Sequence, residues 1–365
     1  MTEAQLPSQR YAAGVARGGW TLDPAQQAVL VELDRIHAEL LRTPEPSGWL
    51  DRLLQRDPVD AIRGLYLWGG VGRGKTFLID LFHDGLPIER KRRTHFHRFM
   101  RSVHAGLREH AGEPDPLAAV ARQWSASLRV LVLDEFFVGD IGDAMLLGRL
   151  LEHLFAQGVV LVTSSNAAPG ELYKDGLQRA RFLPAIALLE THCSVVQLDS
   201  PHDYRLHALT GSPVYRAPLD AQSEAWLQAR WTALGADAAH RDAGIDIDGR
   251  RIPVRARCKG MCWFDFDALC EGPRGNADYI EIAREFHTVF IGGIPRLTAE
   301  RDDAARRFVH LIDELYDRHV NLLCTAEAPP MQLYAGERLG SAFERTASRL
   351  VEMQSADYLS LEHRG

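Results

Sequence analysis

The sequence lacks the features that define several large classes of proteins. Its 365 residues include only five cysteines, an odd and widely spaced set that indicates a reducing compartment and no disulfide framework. There is no run of 18 apolar residues, and the N-terminal segment MTEAQLPSQR has no apolar stretch of the kind found in signal peptides. The net charge of −7 argues against a general attraction to nucleic acid. We therefore expect a cytoplasmic protein whose membrane association is peripheral at most.

The composition, with 46% hydrophobic and 25% charged residues, is typical of a globular protein. At about 150 residues per domain, the length predicts two or three domains. We predict an N-terminal arm and helix over 1–55, a core domain over 56–205 and a C-terminal α/β region over 206–365. The helix is expected to follow an irregular arm and to begin at Asp23-Pro24, because aspartate is a favourable N-cap and proline fits the first helical position.

Short apolar runs alternate with helical patterns in the first half of the chain. Four such runs are predicted to be strands, at 64–70, 129–137, 158–166 and 193–199. Strands that are apolar throughout are typical of parallel sheets covered by helices on both faces. The pattern therefore predicts an α/β fold of this kind, with right-handed crossovers. Polar residues follow several of the strands, and ligands bind at the carboxyl ends of strands in open α/β sheets.

A glycine-rich segment follows the first predicted strand and matches the phosphate-loop pattern G-x-x-x-x-G-K-[ST]. Its glycines let backbone N–H groups approach a phosphate closely, and the helix that follows adds favourable partial charge. Lys75 is expected to reach the β- and γ-phosphates, and Thr76 to bind Mg²⁺. A glycine-rich turn with a chance lysine is the alternative. The residues assigned to nucleotide binding are Gly69, Gly70, Val71, Gly72, Arg73, Gly74, Lys75, Thr76 and Phe77.

Two acidic residues end the second predicted strand. Asp134 is expected to hold Mg²⁺ through water, and Glu135 to orient and polarise an attacking water. An adjacent Asp-Glu pair favours hydrolysis over transfer to a small-molecule acceptor. The alternative is that both acids simply cap the strand.

Candidate polar groups also follow the next strand. Asn166 could position the attacking water beside Glu135, or it could merely form a turn before Pro169. Arg179 and Arg181 follow, and one of them could stabilise the transition state at the nucleotide of a neighbouring subunit. The alternative is a solvated face or a salt bridge.

Two further segments have more than one interpretation. Phe99 and Met100 could form the tip of a loop that faces a pore and grips an extended polypeptide, or they are ordinary core residues. The basic run Arg90-Lys91-Arg92-Arg93 could bind nucleic acid or anionic lipid, although a solvated loop is favoured.

Together these segments resemble the ZapE-like AAA+ ATPases. The resemblance rests on the strings GGVGRGKT, HFHRFM, LDEFFVGDIGDAMLL, GLQRARFLP and SRLVEMQS, and it extends from Asp23 to about Ser355. It implies a P-loop fold and Mg²⁺-dependent ATP hydrolysis by a homo-oligomeric ring. Family members are associated with bacterial cell division and with protein quality control in mitochondria. The roles of Lys75, Thr76, Asp134, Glu135, Asn166 and an arginine of the GLQRAR string carry over by position.

The second half of the chain also echoes the first. Residues 306–334 follow the helix–strand–turn pattern of 148–173, and 287–295 lie where the acidic strand would be. Residues 262–279 would then take the place of the phosphate loop, without its Gly-Lys-Thr. We hypothesise a degenerate second half that cannot hydrolyse nucleotide; independent helix–strand patterning is the alternative.

We expect an oligomeric ATPase that acts on a protein client or on a partner in the division machinery. A loader-type ATPase linked to nucleic acid and an ATP-regulated scaffold are the alternatives.

Overall fold

The structure is a computed structural model that describes residues 5–18, 20–42, 62–200, 206, 209–234, 240–241, 244–247, 249–258 and 260–364. The chain divides into two compact units, Met1–Asp203 and Tyr204–Gly365. The boundary predicted near residue 55 lies outside the described residues. Among the described residues, no helix combines the length and the apolar character needed to cross a membrane.

The first unit is an α/β structure. Its helices are α1 (Pro7–Ala16), α2 (Gln27–Arg42), α3 (Lys75–Gly85), α4 (Phe96–Glu109), α5 (Pro116–Ser127), α6 (Ile141–Ala156) and α7 (Leu183–His192). Its strands are β1 (Gly64–Trp68), β2 (Lys91–His95), β3 (Val130–Asp134), β4 (Val160–Ser165) and β5 (Cys193–Gln197).

The five strands form one parallel sheet in the order β2-β3-β4-β1-β5. Successive side chains of a strand point to opposite faces of the sheet, so both faces need a cover. Leu65 and Leu67 of β1 pack in a core cluster with α2 and α3, while Tyr66 packs in a second cluster with α4 to α7. The predicted parallel sheet with helices on both faces is therefore confirmed. β1 lies between β4 and β5, so the loop that follows it is at a topological switch point of the sheet, where ligands bind in open α/β folds.

The N-terminal segment differs from the irregular arm that the sequence predicts. Helix α1 places Tyr11 in the core, where its hydroxyl donates to the carbonyl of Thr21 at 3.2 Å and accepts from the N–H of Asp23 at 2.9 Å. Asp23 caps the next helical segment as predicted, because its carboxylate accepts from the N–H of Ala25. That segment begins as one 3₁₀ turn, Pro24–Gln26, which leads directly into α2.

The second unit is also α/β. Its helices are α8 (Ser223–Ala233), α9 (Phe266–Cys270), α10 (Asn276–Glu285), α11 (Asp302–Asp317), α12 (Gly340–Glu352) and α13 (Ala356–Leu359). Its strands are β6 (Tyr215–Arg216), β7 (His240–Arg241), β8 (Ile245–Ile247), β9 (Arg250–Ile252), β10 (Ala256–Cys258), β11 (Met261–Asp265), β12 (Thr288–Ile294) and β13 (Asn321–Ala326).

The main sheet of this unit has the order β6-β13-β12-β11-β10-β7, and its first four strands are parallel. Their neighbours repeat those of β1-β4-β3-β2 in the first unit. One part of the predicted correspondence is wrong. Residues 262–279 lie in β11 and the helices after it, so they correspond to β2 and α4 and not to the phosphate loop. The topological counterpart of β1 is β6, and the loop after it, Ala217–Gln222, contains no Gly-Lys-Thr.

Candidate active site at the phosphate loop

The phosphate loop joins the carboxyl end of β1 to the first residue of α3. Gly69 has φ 150° and Gly74 has φ 93°, backbone conformations that residues with a Cβ rarely adopt. A Cβ built on Gly69 would lie 2.3 Å from the carbonyl oxygen of Leu198, so no larger residue fits there. The first N–H groups of α3 have no acceptor within the helix, and they lie next to this turn. The loop and the helix terminus therefore form a site suited to an anion.

Lys75 is buried at the centre of this loop. Its ammonium group donates to the carbonyl oxygens of Gly69 at 2.6 Å and Gly70 at 2.7 Å, and to Oδ1 of Asn166 at 2.9 Å. Asn166 follows β4, which is the strand between β1 and β3 in the sheet. The sheet order thus brings together a lysine and an asparagine that are 91 residues apart in the chain.

Hydrogen bonds that were not predicted from the sequence hold the phosphate loop at Arg73. Gln26 donates through Nε2 to the carbonyl of Arg73 at 3.4 Å, and the Arg73 guanidinium donates to the carbonyl of Ser200. Ser200 in turn donates to Asp23 at 2.7 Å. The cap at Asp23 was visible in the sequence, but its link to the loop depends on the fold.

Phe77, also assigned to nucleotide binding, packs its ring against Trp20 with a centroid separation of 4.8 Å. The side chains of Arg73 and Phe77 therefore contact protein. Only their backbone N–H groups would be available to a ligand. Their assignment stays a prediction.

Asp134 ends β3 and is buried. The Nε of Arg93 donates to Oδ2 of Asp134 at 2.7 Å, and Nη2 donates to Oδ1 at 3.2 Å. The remaining nitrogen, Nη1, donates to Asp80 on α3. Burial by itself lowers the pKa of Arg93, but the two carboxylates outweigh it and raise that pKa above its ordinary value. This arginine is charged at any working pH, and no pattern in the sequence indicated its place in the site.

The basic run at 90–93 is not the solvated loop that the sequence favoured, because it enters strand β2. Period-two alternation sends Lys91 and Arg93 to the face covered by α3, where Lys91 donates to the carbonyl oxygens of His83 and Leu86. Arg90 donates to the carbonyl of Ser125, and Arg92 to the hydroxyl of Ser102 while lying over the Trp124 ring. Each basic side chain of the run is thus held by the protein itself.

Glu135 separates from its neighbour Asp134 because the backbone turns there. It has φ 54°, an uncommon conformation for a residue with a side chain, and its N–H donates to Oγ of Ser164 at 3.2 Å. Its side chain is 39% exposed, and Oε2 lies 3.9 Å from Nδ1 of His95 at the end of β2. One acid is therefore fixed inside the protein, while the next is presented to solvent at the carboxyl edge of the sheet.

The two candidate arginines are held differently. Arg179 donates to the carbonyl of Gly170 at 2.5 Å within its own loop. Arg181 is exposed, and in the part of the chain that the structure describes its side chain makes no hydrogen bond or ion pair. Gln178, the residue before Arg179, has φ 56°, which helps to turn this segment. Arg181 is thus the arginine that a neighbouring molecule could meet.

The pore-loop interpretation of Phe99 and Met100 is wrong. Helix α4 begins at Phe96, immediately after β2, so both residues lie on a helix and face the core. Phe99 is fully buried, with its ring centroid 5.4 Å from that of Trp124. These residues stabilise the first unit and are not available to a client.

A family model for AFG1-like ATPases matches residues 5–362. The chain belongs to the AFG1-like ATPase family. It is similar to the cell division protein ZapE of Escherichia coli, with 42% identity over 371 residues that cover 99% of each chain. It is also similar to lactation elevated protein 1 homolog B of Danio rerio, with 35% identity over 342 residues that cover 81% of this chain and 68% of the relative. The resemblance seen in the sequence motifs is therefore confirmed.

Among solved structures, a crystal structure of DnaI aligns with 51% of this chain and 88% of its own, at 15% identity and a TM-score of 0.36. That TM-score is too low to support any conclusion about this AFG1-like ATPase.

The residues of this AFG1-like ATPase fit the ligands that its family name implies. A Cβ at Gly69 would collide with the carbonyl oxygen of Leu198, so the turn that begins the phosphate loop requires glycine at this position. The Thr76 hydroxyl and the Asp134 carboxylate are hard oxygen ligands of the kind that Mg²⁺ prefers. Each Asp134 oxygen accepts one bond from Arg93 and keeps a second lone pair for a metal-bound water.

Proposed function

We propose that the chain hydrolyses ATP with the help of Mg²⁺ at the carboxyl edge of the first sheet. The observation that carries this proposal is the convergence of three strand ends. Lys75 lies on the phosphate loop and contacts Asn166 after β4, while Asp134 ends β3, the strand that pairs with β4, and Glu135 follows it. Membership of an ATPase family supports the same conclusion.

Each residue would have a distinct part in the reaction. Lys75 would exchange its carbonyl acceptors for oxygens of the β- and γ-phosphates, and Thr76 and Asp134 would hold Mg²⁺. When bound, Mg²⁺ would neutralise charge that develops on the phosphate oxygens. Glu135 would accept a proton from the attacking water. The water oxygen would bond to the γ-phosphorus as the bond between the γ-phosphorus and the β-phosphate oxygen breaks. ADP and inorganic phosphate would leave, and Asn166 would orient the water.

The proposal includes a homo-oligomeric ring. Phosphoryl transfer is accelerated when an arginine stabilises the charge of the transition state, and such an arginine can come from a second molecule. Arg181 is suited to this part because its side chain is exposed, whereas Arg179 already donates to Gly170. An arginine that serves the next subunit makes head-to-tail contacts, and these close into a ring when the rotation permits.

The partner we propose is a protein of the division machinery in the cytoplasm, on the basis of the similarity to ZapE. The net charge of −7, and the engagement of Arg90 to Arg93 inside the protein, give no support to a nucleic-acid-linked loader. A scaffold with slow turnover differs from a motor in one measurable respect. An unfolded polypeptide would stimulate the ATPase rate of a motor and leave that of a scaffold unchanged.

The deciding experiment is steady-state ATP hydrolysis by the full chain and by Glu135→Gln, with sizing in ATP. Loss of a general base typically lowers turnover by about 10²- to 10⁴-fold, so the variant should bind ATP and remain assembled without hydrolysing it. Glu152→Gln on α6 is the matched control, because it removes the same charge from an exposed surface position. If Glu135→Gln hydrolyses ATP as fast as the unaltered chain, the proposed mechanism is wrong at its central step.

A further inference from the structure

Arg93, in the basic run, contacts two acidic side chains next to the phosphate loop. Its guanidinium donates hydrogen bonds to both oxygens of Asp134 and also to Asp80. Asp134 and Asp80 are both buried, while the Arg93 side chain is 20% exposed. Asp80 lies on α3, the helix whose first two residues are Lys75 and Thr76. One planar group thus connects the helix that carries Thr76 to the strand end that carries Asp134.

The chemistry of the guanidinium explains what this contact can do. An arginine presents its donors in a rigid fork that matches a carboxylate, so a two-point contact fixes the plane of the acid as well as its position. The Asp134 carboxylate can therefore turn very little while Arg93 holds it. The third donor fixes α3 relative to the same plane. Arg93 thus adds a direct polar link between the helix that carries Thr76 and the strand end that carries Asp134, in addition to the apolar packing of α3 on the sheet.

Asp80 also has an electrostatic consequence. If Arg93 faced Asp134 alone, the two charges would balance and the strand end would attract a cation weakly. With Asp80 as a second acidic partner, the group of three carries a net charge of −1. Charges in a poorly solvated site interact more strongly than charges in water, so the excess negative charge draws a divalent cation to Asp134.

We propose that Arg93, together with Asp80, is a positioning element for the metal. It orients Asp134 toward Mg²⁺, and Asp80 keeps the charge of Asp134 available. Neither residue touches nucleotide or water in this scheme. The inference rests on the proposed function, because it concerns the metal that accompanies ATP at the same site.

The test measures binding, not turnover. The full chain is titrated with a fluorescent, non-hydrolysable ATP analogue, once with EDTA and once with Mg²⁺, and the ratio of the two affinities gives the gain due to the metal. Residues that orient metal ligands typically account for roughly 10- to 100-fold in metal affinity. We expect Arg93→Lys to lose about tenfold or more of that gain, because a single ammonium group cannot span both oxygens of Asp134 and reach Asp80. Affinity in EDTA should stay within about twofold, because the phosphate loop is untouched.

Two further variants sharpen the comparison. Asp80→Asn keeps the shape of the side chain and the contact between Arg93 and Asp134, yet it should also reduce the gain due to the metal. Arg92→Lys is the matched control on the other face of β2, where the side chain donates to Ser102, and it should leave the gain unchanged. Circular dichroism would establish that each variant is folded. If Arg93→Lys does not fold, Asp80→Asn decides the matter alone.

The outcomes separate the two proposals. A gain within about twofold of the unaltered chain in folded Arg93→Lys and Asp80→Asn overturns the inference and leaves the proposed function in place. A parallel loss of affinity in EDTA also overturns it, since the arginine would then be supporting the loop and not the metal. An unaltered chain that binds no nucleotide overturns the proposed function, and the inference with it.

Discussion

If Arg181 serves the nucleotide of a neighbouring subunit, replacing it should abolish hydrolysis without harming the fold. The side chain is exposed and makes no internal hydrogen bond or ion pair in the described part of the chain, so Arg181→Ala should change the free energy of unfolding by less than about 0.5 kcal/mol. The turnover number should nevertheless fall by roughly 10³- to 10⁵-fold, the range known for arginine fingers. Stability and activity therefore separate in this variant.

Mixing two inactive variants tests whether the arginine acts between subunits. Lys75→Ala has no functional phosphate loop but retains Arg181, whereas Arg181→Ala retains the loop. In randomly mixed oligomers at equal amounts, half of the sites have an intact loop, and half of those face an intact arginine. We therefore expect about a quarter of the turnover of the unaltered chain to return on mixing. Phosphate release would be followed before and after exchange of subunits.

A role for Arg181 between subunits would be refuted if the mixture stayed inactive while sizing showed mixed oligomers, or if Arg181→Ala alone hydrolysed ATP normally. Arg122→Ala is a suitable control, because Arg122 is also an exposed arginine of the first unit, 3.7 Å from its partner Glu113. It should behave like the unaltered chain in every assay.

Two further predictions concern stability. Phe99→Ala should lower the free energy of unfolding by about 3–5 kcal/mol in denaturant titrations, because it empties a fully buried site; unchanged stability together with loss of polypeptide stimulation would restore the pore-loop interpretation. Burial lowers the pKa of His37 below its ordinary 6.5, despite opposition from the carbonyl of Gly85. Stability should therefore be full above pH 6.5 and fall as the pH drops below it, where the unfolded chain takes up a proton that the folded chain resists. His37→Leu should flatten this decline between pH 6.5 and more acidic conditions; an unchanged decline would assign it to other groups.

The chemistry of the site was largely predictable from the sequence, because it depends on local patterns. A phosphate loop needs glycines, a lysine and a hydroxyl residue at fixed spacing between a strand and a helix, and all of these are neighbours in the chain. The same holds for Asp134 and Glu135 at the end of an apolar strand. The apolar runs also located four of the five strands of the first sheet, since a strand covered on both faces is apolar throughout.

Residues that act through a neighbouring strand were beyond the reach of such patterns. β2 lies at the edge of the sheet and consists of polar and basic residues, so no hydrophobic period marks it as a strand. Its partners became visible only when β2 was paired with β3, which brings Arg93 to Asp134 across 41 residues. The helix that follows β2 buries Phe99, and that too depends on where the strand ends.

The correspondence between the two halves of the chain was also predictable only in part. The sequence by itself determined that helix and strand patterns recur, because amphipathic helices and apolar strands are encoded locally. Only the tertiary structure decided which strands correspond, because the order of strands in a sheet is set by crossovers that place distant segments side by side. That order assigned β11 to the place of β2, and gave β6, a strand too short to recognise from its sequence, the place of the strand before the phosphate loop.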